Sequence, residues 1–485
     1  MKKMKRFTCT AMAAVMAMSL AACSGGSDSG SGSSTTAAAG GETGAKQETE
    51  AKQDTDGKQE ASSGDKTVVE VWSGDRHDME YVQSMVDKYN AENTDNIEIK
   101  LTIITEDYAN MLALAYSGGT APDIVGNSND VTLNLFADTG ILAPLNDYIA
   151  QDEEYQKVNE PYEHMYEGLN AKDGNIYLVY SAMRSGVRVE YNKNLLEQNG
   201  YKEIPKKLDD YIAMAQKITE SGGGQYYGIG FTSSSPFERL LEMSAQMSGV
   251  FYYDYVNGKY DFSGYKPFLE KGQELVKIAY PDQQGVDNMR ALFAQGSFAL
   301  WSNASQEAGV FTDQIPVTDF EWGVAEVPTL DGEVKGALMT SPAKGYSLVS
   351  SSEHKDEAWK VISYFQSEEF LKGYLESGYA LPITSYMDGV IDKSKIGRLA
   401  DFSLVDYESV YPTPPAVNLQ GDDYRTTLWN AVMGYVGIDE AIEDLNTRYN
   451  SALDADVASG TVKRLIIKDY DPLHPSAGTS TYETK

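Results

Sequence analysis

Thr67-Val68-Val69-Glu70-Val71-Trp72 begins the folded part of the chain, and Ile97-Glu98-Ile99-Lys100-Leu101-Thr102-Ile103 follows it as a second strand. The second stretch alternates apolar and polar residues with the period of two that a half-buried strand requires. The first ends at Trp72 and a polar loop, Ser73-Gly74-Asp75-Arg76-His77. Between them Val82, Met85, Val86 and Tyr89 recur at the spacing of one helix face. A second helix is predicted near Asp107–Ser117, and Gly118-Gly119 leads from it to a short strand at Asp123–Val125. The order β-α-β-α-β predicts parallel strands with helices on both faces, an α/β fold, because parallel neighbours need a crossover connection.

Working outward, the alternation continues less cleanly. Helices are expected near Leu208–Glu220 and Lys355–Gln366, and strands at Tyr227–Phe231 and Phe298–Trp301. Ile438, Ile442, Leu445 and Tyr449 mark a late amphipathic helix. The polar residues from about Ser476 are expected to fray.

Upstream of Thr67 the composition changes completely. From Ser24 to Lys66 there is no Val, Ile, Leu, Met, Phe, Tyr or Trp. Such a stretch cannot bury enough apolar surface to offset ordering entropy, and it reads as a tether with a mean reach of about 35 Å. Before it, Lys2, Lys3, Lys5 and Arg6 precede an apolar run from Thr10 to Ala22, the layout of a secretory leader. The run is too short for a permanent membrane helix, which needs about 20 apolar residues.

The formal charge of −32 disfavours nucleic acid and anionic lipid surfaces as partners. Of the two cysteines, Cys9 lies in the leader and Cys23 at its end, so the mature chain has no disulfide framework, no cysteine nucleophile and no cysteine metal site. No metal or other cofactor is expected.

The leader's last residues, Leu20-Ala21-Ala22-Cys23, resemble the bacterial lipoprotein signal, which implies acylation of the Cys23 thiol and anchoring at the extracytoplasmic face of the cell membrane. Four further stretches point the same way. They are Ser117-Gly118-Gly119-Thr120-Ala121-Pro122-Asp123-Ile124-Val125; Asp173-Gly174-Asn175-Ile176-Tyr177 with Tyr191-Asn192-Lys193; Phe293-Ala294-Gln295-Gly296-Ser297-Phe298-Ala299-Leu300; and the helix around Ala358–Phe365 followed by Leu381-Pro382. In this order they resemble the solute-binding proteins of ABC importers, in particular the carbohydrate-binding family that includes the maltodextrin-binding proteins.

The resemblance implies a two-lobed, periplasmic-binding-protein-like fold with the ligand in a cleft between lobes, a common place for ligands. It divides the chain into a signal peptide (1–22), the lipidated Cys23 and tether (23–66), lobe one (67–182 plus 346–381), lobe two (183–345 plus 382–476) and a polar tail (477–485). Permease subunits of an ABC transporter are the implied partners, and a monomer is expected.

A sugar offers hydroxyl rims and flat C–H faces, so its site needs planar polar groups and aromatic platforms. In the resembling family the loop after the first strand carries a charged pair toward sugar hydroxyls, which implicates Asp75 and Arg76; the alternative is a solvated turn. Trp72, at the strand's end, is a cleft-wall or core residue. Asn127 and Asp130 follow the Asp123–Val125 strand at its carboxyl end, where open α/β sheets bind ligands, although Asp130 also suits a helix N-cap. Arg184 lies where the family's chain first crosses the cleft floor, and there it clasps hydroxyls or forms an interlobe ion pair. Phe237 matches the family's stacking aromatic in lobe two, while Trp301 and Asn303 stand near its second platform; Tyr346 and the loop at Tyr411 are further cleft-lining candidates.

Two other classes fit the sequence less well. A glycan hydrolase needs two selected carboxylates, and nothing in the sequence selects them; nucleophile-elbow, zinc-protease and phosphate-loop motifs are missing. A lipid-anchored adhesin would bind polymer without lobe closure. The same receptor type with a peptide, polyamine or other charged metabolite as cargo stays open beside the sugar.

Overall fold

The computed structural model describes residues 66–75, 78–104, 107–126, 136–137, 139–233 and 236–484. It opens with β1 (Thr67–Ser73), α1 (Met79–Glu92), β2 (Ile97–Ile103), α2 (Tyr108–Gly118) and β3 (Ile124–Gly126). β1 lies between β2 and β3 and runs parallel to both, with Thr67 opposite Ile97 and Val71 opposite Ile124. Val69, Val71, Ile97 and Ile99 face one core with Val82 and Val86 of α1, which explains the clean alternation in the sequence.

The chain then crosses through β4 (Ala182–Arg184) and builds a second sheet from β5 (Arg188–Asn192), α3 (Leu208–Gly222), β6 (Tyr227–Ile229), β7 (Phe298–Asn303) and β8 (Trp322–Ala325). It returns through β9 (Ser341–Ala343) to β10 (Tyr346–Leu348), α4 (Lys355–Phe365) and α5 (Glu368–Glu376), and crosses again at β11 (Leu381–Pro382). The rest comprises α6 (Ser385–Val390), α7 (Tyr424–Val432), α8 (Ile438–Ser459) and a hairpin of β12 (Arg464–Lys468) and β13 (Thr479–Glu483).

The first sheet has the order β10-β3-β1-β2, and its edge strand β10 is antiparallel to β3. The second, β8-β5-β7-β6, is mixed: β7 is parallel to β6 but antiparallel to β5. Alternation does not reveal β5 because Val189 and Glu190 on its opposite faces are both fully buried. α3 packs so tightly on β6 that a Cβ on Gly228 would lie 2.0 Å from the Ala215 carbonyl oxygen, so the position excludes any side chain.

Between the sheets β4, β9 and β11 lie side by side, with Ser341 opposite Arg184 and Leu381 opposite Met183. The first core gathers Phe365, Phe370 and Leu371 around β1, and it also takes Met387 and Ile391, beyond the 381 boundary read from the sequence. The second gathers α3 with Leu428, Leu445, Leu453 and Ile467.

The expected polar tail is in fact largely β13, paired with β12 so that Tyr482 stands opposite Leu465. Ladder hydrogen bonds, together with the packing of Tyr482 on the second core, order a segment whose composition alone suggests fraying. The Tyr482 hydroxyl lies against Gly168, and Lys172 Nζ stands 6.0 Å from its ring centre. Among the described residues no helix is long and apolar enough to cross a membrane.

Where β5 leaves the crossing, Arg188 and Glu408 form an ion pair with side chains only 3% and 2% exposed and Nη2 3.0 Å from Oε2. Arg188 Nη1 donates to Oε1 at 3.2 Å, Nη2 donates to the Ser403 carbonyl at 3.2 Å, and the Gly186 and Val405 N–H groups donate to the same carboxylate. Removing one partner strands the other in low dielectric. Glu408→Ala is therefore expected to cost about 3–5 kcal/mol, read as a lowered urea midpoint of the purified protein.

Candidate functional site

The loop after β1 is built on a buried charge cluster. Asp78 stands at the N-cap position of α1, but its side chain caps nothing there. Its Oδ2 instead lies 2.7 Å from Lys344 Nζ and accepts a 2.8 Å hydrogen bond from the Tyr374 hydroxyl. Burial, reinforced by Asp78 and Asp75, pushes the Tyr374 phenol well up, so it remains a donor. Lys344 is 2% exposed and occupies the link between β9 and β10 with φ at 50°, a left-handed conformation that is strained for a side chain of this size.

From this base Lys344 Nζ also reaches Asp75 Oδ2 at 3.5 Å. Arg184, at the end of β4, approaches the other oxygen, with Nη2 3.5 Å from Oδ1. The Asp78 and Lys344 side chains are 0% and 2% exposed, whereas Asp75 and Arg184 are 20% and 35% exposed. The lower pair is locked in place. The upper pair is presented where β1 ends and the crossing begins, and a carboxylate beside a guanidinium supplies the planar acceptors and donors that bind hydroxyl rims bidentately.

Trp72 is half-buried at the end of β1, and its carbonyl accepts from the Tyr108 hydroxyl at 2.9 Å. Asp75 and Arg184 are thus brought together, while Arg76, Asn127 and Asp130 lie outside the described residues.

Lobe two corrects the remaining expectations. Phe237 is fully buried and meets Tyr265 edge-on at 5.5 Å, so it has no face to offer a ligand. It belongs to the helical turn that follows β6, which turns the ring into the core. Trp301 is 1% exposed and stacks on Phe298, because β7 is a central strand with both faces covered. Asn303 is equally buried; its Nδ2 donates to Glu307 Oε1 at 2.6 Å, within a network in which Arg290 grips Glu307 through Nε and Nη2. That makes Asn303 a brace rather than a contact. Tyr346 and Tyr411 are also buried, stacked on Phe365 and Phe251.

Asp78, Lys344 and Tyr374 escaped the sequence reading. The one available signal was Ala343-Lys344-Gly345-Tyr346, a lone cation in a run expected to pass between lobes. Among the described residues there is no group of three or more His, Cys, Asp or Glu that could hold a metal ion.

Two α/β sheets joined by three adjacent crossings, with a charged pair where the crossings meet a strand's carboxyl end, form the frame of a two-lobed binding protein. The family model of bacterial extracellular solute-binding proteins matches residues 73–372. The chain belongs to this family. A maltotriose-binding protein of Pyrococcus abyssi (strain GE5 / Orsay) is 23% identical over 399 residues, covering 79% of each chain. Among solved structures, the GacH receptor of Streptomyces glaucescens, studied unliganded and with acarbose, aligns at a TM-score of 0.63 with 20% identity, over 80% of this chain and 99% of its own. An ABC substrate-binding protein of Listeria monocytogenes in complex with cycloalternan aligns at 0.62 with 22% identity, over 80% and 100%. These structures share the fold.

One buried acid next to this frame is testable through its proton. Glu190 on β5 is fully buried, and no side chain pairs with its carboxylate among the described residues. Burial, with Glu307 acting in the same direction, pushes its carboxyl well above the usual range. The folded protein therefore keeps a proton that the unfolded chain releases from about pH 4.3 upward. Stability falls as pH rises from there toward the folded value, because the folded state binds more protons. Glu190→Gln removes this linkage. By calorimetry it is expected to melt with wild type at about pH 4 and above it at about pH 8.

Proposed function

We propose that this solute-binding protein is a lipid-anchored receptor that captures a sugar or oligosaccharide by closing two lobes and delivers it, chemically unaltered, to an ABC importer's permease. The observation that carries this reading is the Asp75–Arg184 pair, which joins the β1 loop to a crossing strand and leaves both side chains partly open to solvent. A ligand held by groups on both sides of a hinge favours the closed form through its differential affinity for the two states. The names of the relatives, a maltotriose binder and receptors studied with acarbose or cycloalternan, support carbohydrate as the cargo class. The leader ending at Cys23 supports anchoring by lipid.

A thermal-shift screen against saccharides, amines and peptides tests the cargo. Ligand at about 100 times its dissociation constant stabilises by about 2.7 kcal/mol, so a saccharide is expected to raise the melting temperature and to be recovered intact afterwards. A shift with amines alone would instead select the charged-metabolite reading, and released reducing sugar would select a hydrolase. Arg184→Ala is expected to weaken the binding by about tenfold to a hundredfold in calorimetric titration. Cys23→Ala in the producing cell is expected to move the protein from the membrane fraction to the soluble one.

A further inference from the structure

Lobe two holds a counterpart to the charged pair of lobe one. Arg425, on α7, grips Glu242 through Nε at 2.7 Å and Nη2 at 3.3 Å, and the Tyr424 hydroxyl donates to the same carboxylate. The Glu242 side chain is 0% exposed, so this contact is locked in the interior as the Asp78–Lys344 pair is. The remaining guanidinium nitrogen, Nη1, stands 3.4 Å from Glu238 Oε1, and here the side chains are 35% and 30% exposed. As with Arg184 and Asp75, a donor and an acceptor reach solvent from a buried mount.

The pair stands on a wall that rises from the crossing strands. Glu238–Glu242 is a π-helical turn that Met243–Met247 continues as α-helix. Gln246 Oε1 accepts from the Met339 N–H at 3.4 Å, and Met339 lies two residues before Ser341, the partner of Arg184 in the crossing sheet. Residues four apart share a helix face, so Gln246, Glu242 and, across the widened turn, Glu238 lead away from the floor on which Arg184 sits. Strand polarity agrees. Phe231 lies two residues past the carboxyl end of β6, as Asp75 lies two past that of β1, the end at which α/β sheets receive ligands.

Trp429 completes the set. It follows Arg425 by four residues on the same face of α7, and its ring meets Phe231 with centroids 5.4 Å apart. It is half-buried, and its indole N–H is neither sealed from solvent nor hydrogen-bonded among the described residues. A hydroxylated ring needs a carboxylate that accepts, a guanidinium that donates and an aromatic face for its C–H side, because each hydroxyl both donates and accepts. We infer that Glu238, Arg425 and Trp429 form lobe two's half of the ligand site and hold one sugar ring of the cargo, with Trp429 against its C–H face. This inference rests on the sugar reading above and gives it the second contact surface that closure requires.

Fluorescence titration with neutral di- and trisaccharides of glucose, galactose, mannose and xylose tests it. Of the five tryptophans, Trp301, Trp322 and Trp359 are at most 6% exposed, which leaves Trp72 and Trp429 to report a bound saccharide. Trp429→Phe, which keeps a ring, is expected to retain binding while losing most of the emission change. Trp429→Ala is expected to bind the same saccharide about tenfold more weakly. Glu238→Gln, which leaves Arg425 held by Glu242, is expected to bind it about tenfold more weakly with the melting temperature of the free protein unchanged. A Trp429 that only packs on Phe231 would lower the melting temperature of Trp429→Ala and leave its dissociation constant alone, which overturns the inference. Wild-type affinity in Glu238→Gln, or a full emission change in Trp429→Phe, overturns it too while leaving the sugar reading intact. Binding of no saccharide at all removes both.

Discussion

The whole architecture hangs on one constraint: the chain must pass between two separately packed sheets three times, and its three passages pair with one another. β4, β9 and β11 contribute only three, three and two residues. Short, adjacent connections of this kind are the usual substance of hinges, because few backbone torsions need change while the cores on either side stay rigid. The two ends of this small sheet are fastened differently. Toward lobe one Lys344 is sunk among Asp78, Asp75 and the Tyr374 ring; toward lobe two Arg188 is sunk against Glu408. In a chain of strongly negative charge, both fastenings place a buried cation beside the crossing strands.

That arrangement gives the cleft floor its chemistry. Each buried pair costs desolvation that hydrogen bonds must offset, and so such pairs specify geometry more than they add stability. The Asp75 carboxylate is fixed by cations from two directions, one wholly inside the protein and one at its surface. A carboxylate fixed this way is preorganised, with little left to rearrange when a hydrogen-bond donor arrives.

How far the sequence could be read follows from the same physics. β1 through β3 were legible because a parallel sheet with one amphipathic helix per crossover prints its periods directly. β5 and β8 were not: they are short and antiparallel, and β5 buries Arg188 and Glu190, residues that mark surface in any composition-based reading. Asp75 and Arg184, which the structure pairs, were singled out because the resembling family places charged groups at those turns. Phe237, Trp301 and Asn303 were misplaced because a motif gives position along the chain and not the direction in which a helix or central strand turns the side chain. Lys344 was missed for a complementary reason, since nothing local distinguishes a buried lysine from the many solvated ones.

The late hairpin has a practical side. The family match stops at residue 372, yet the second core draws Leu428, Leu445, Leu453, Leu465 and Ile467 from beyond it, and Tyr482 of β13 abuts Gly168 and Lys172. Fragments cut for crystallisation or cloned at the family boundary would expose an unfinished interior and precipitate. A fluorescent reporter fused at the carboxyl terminus would crowd this contact, so a sensor built on the protein is better assembled from the amino-terminal side.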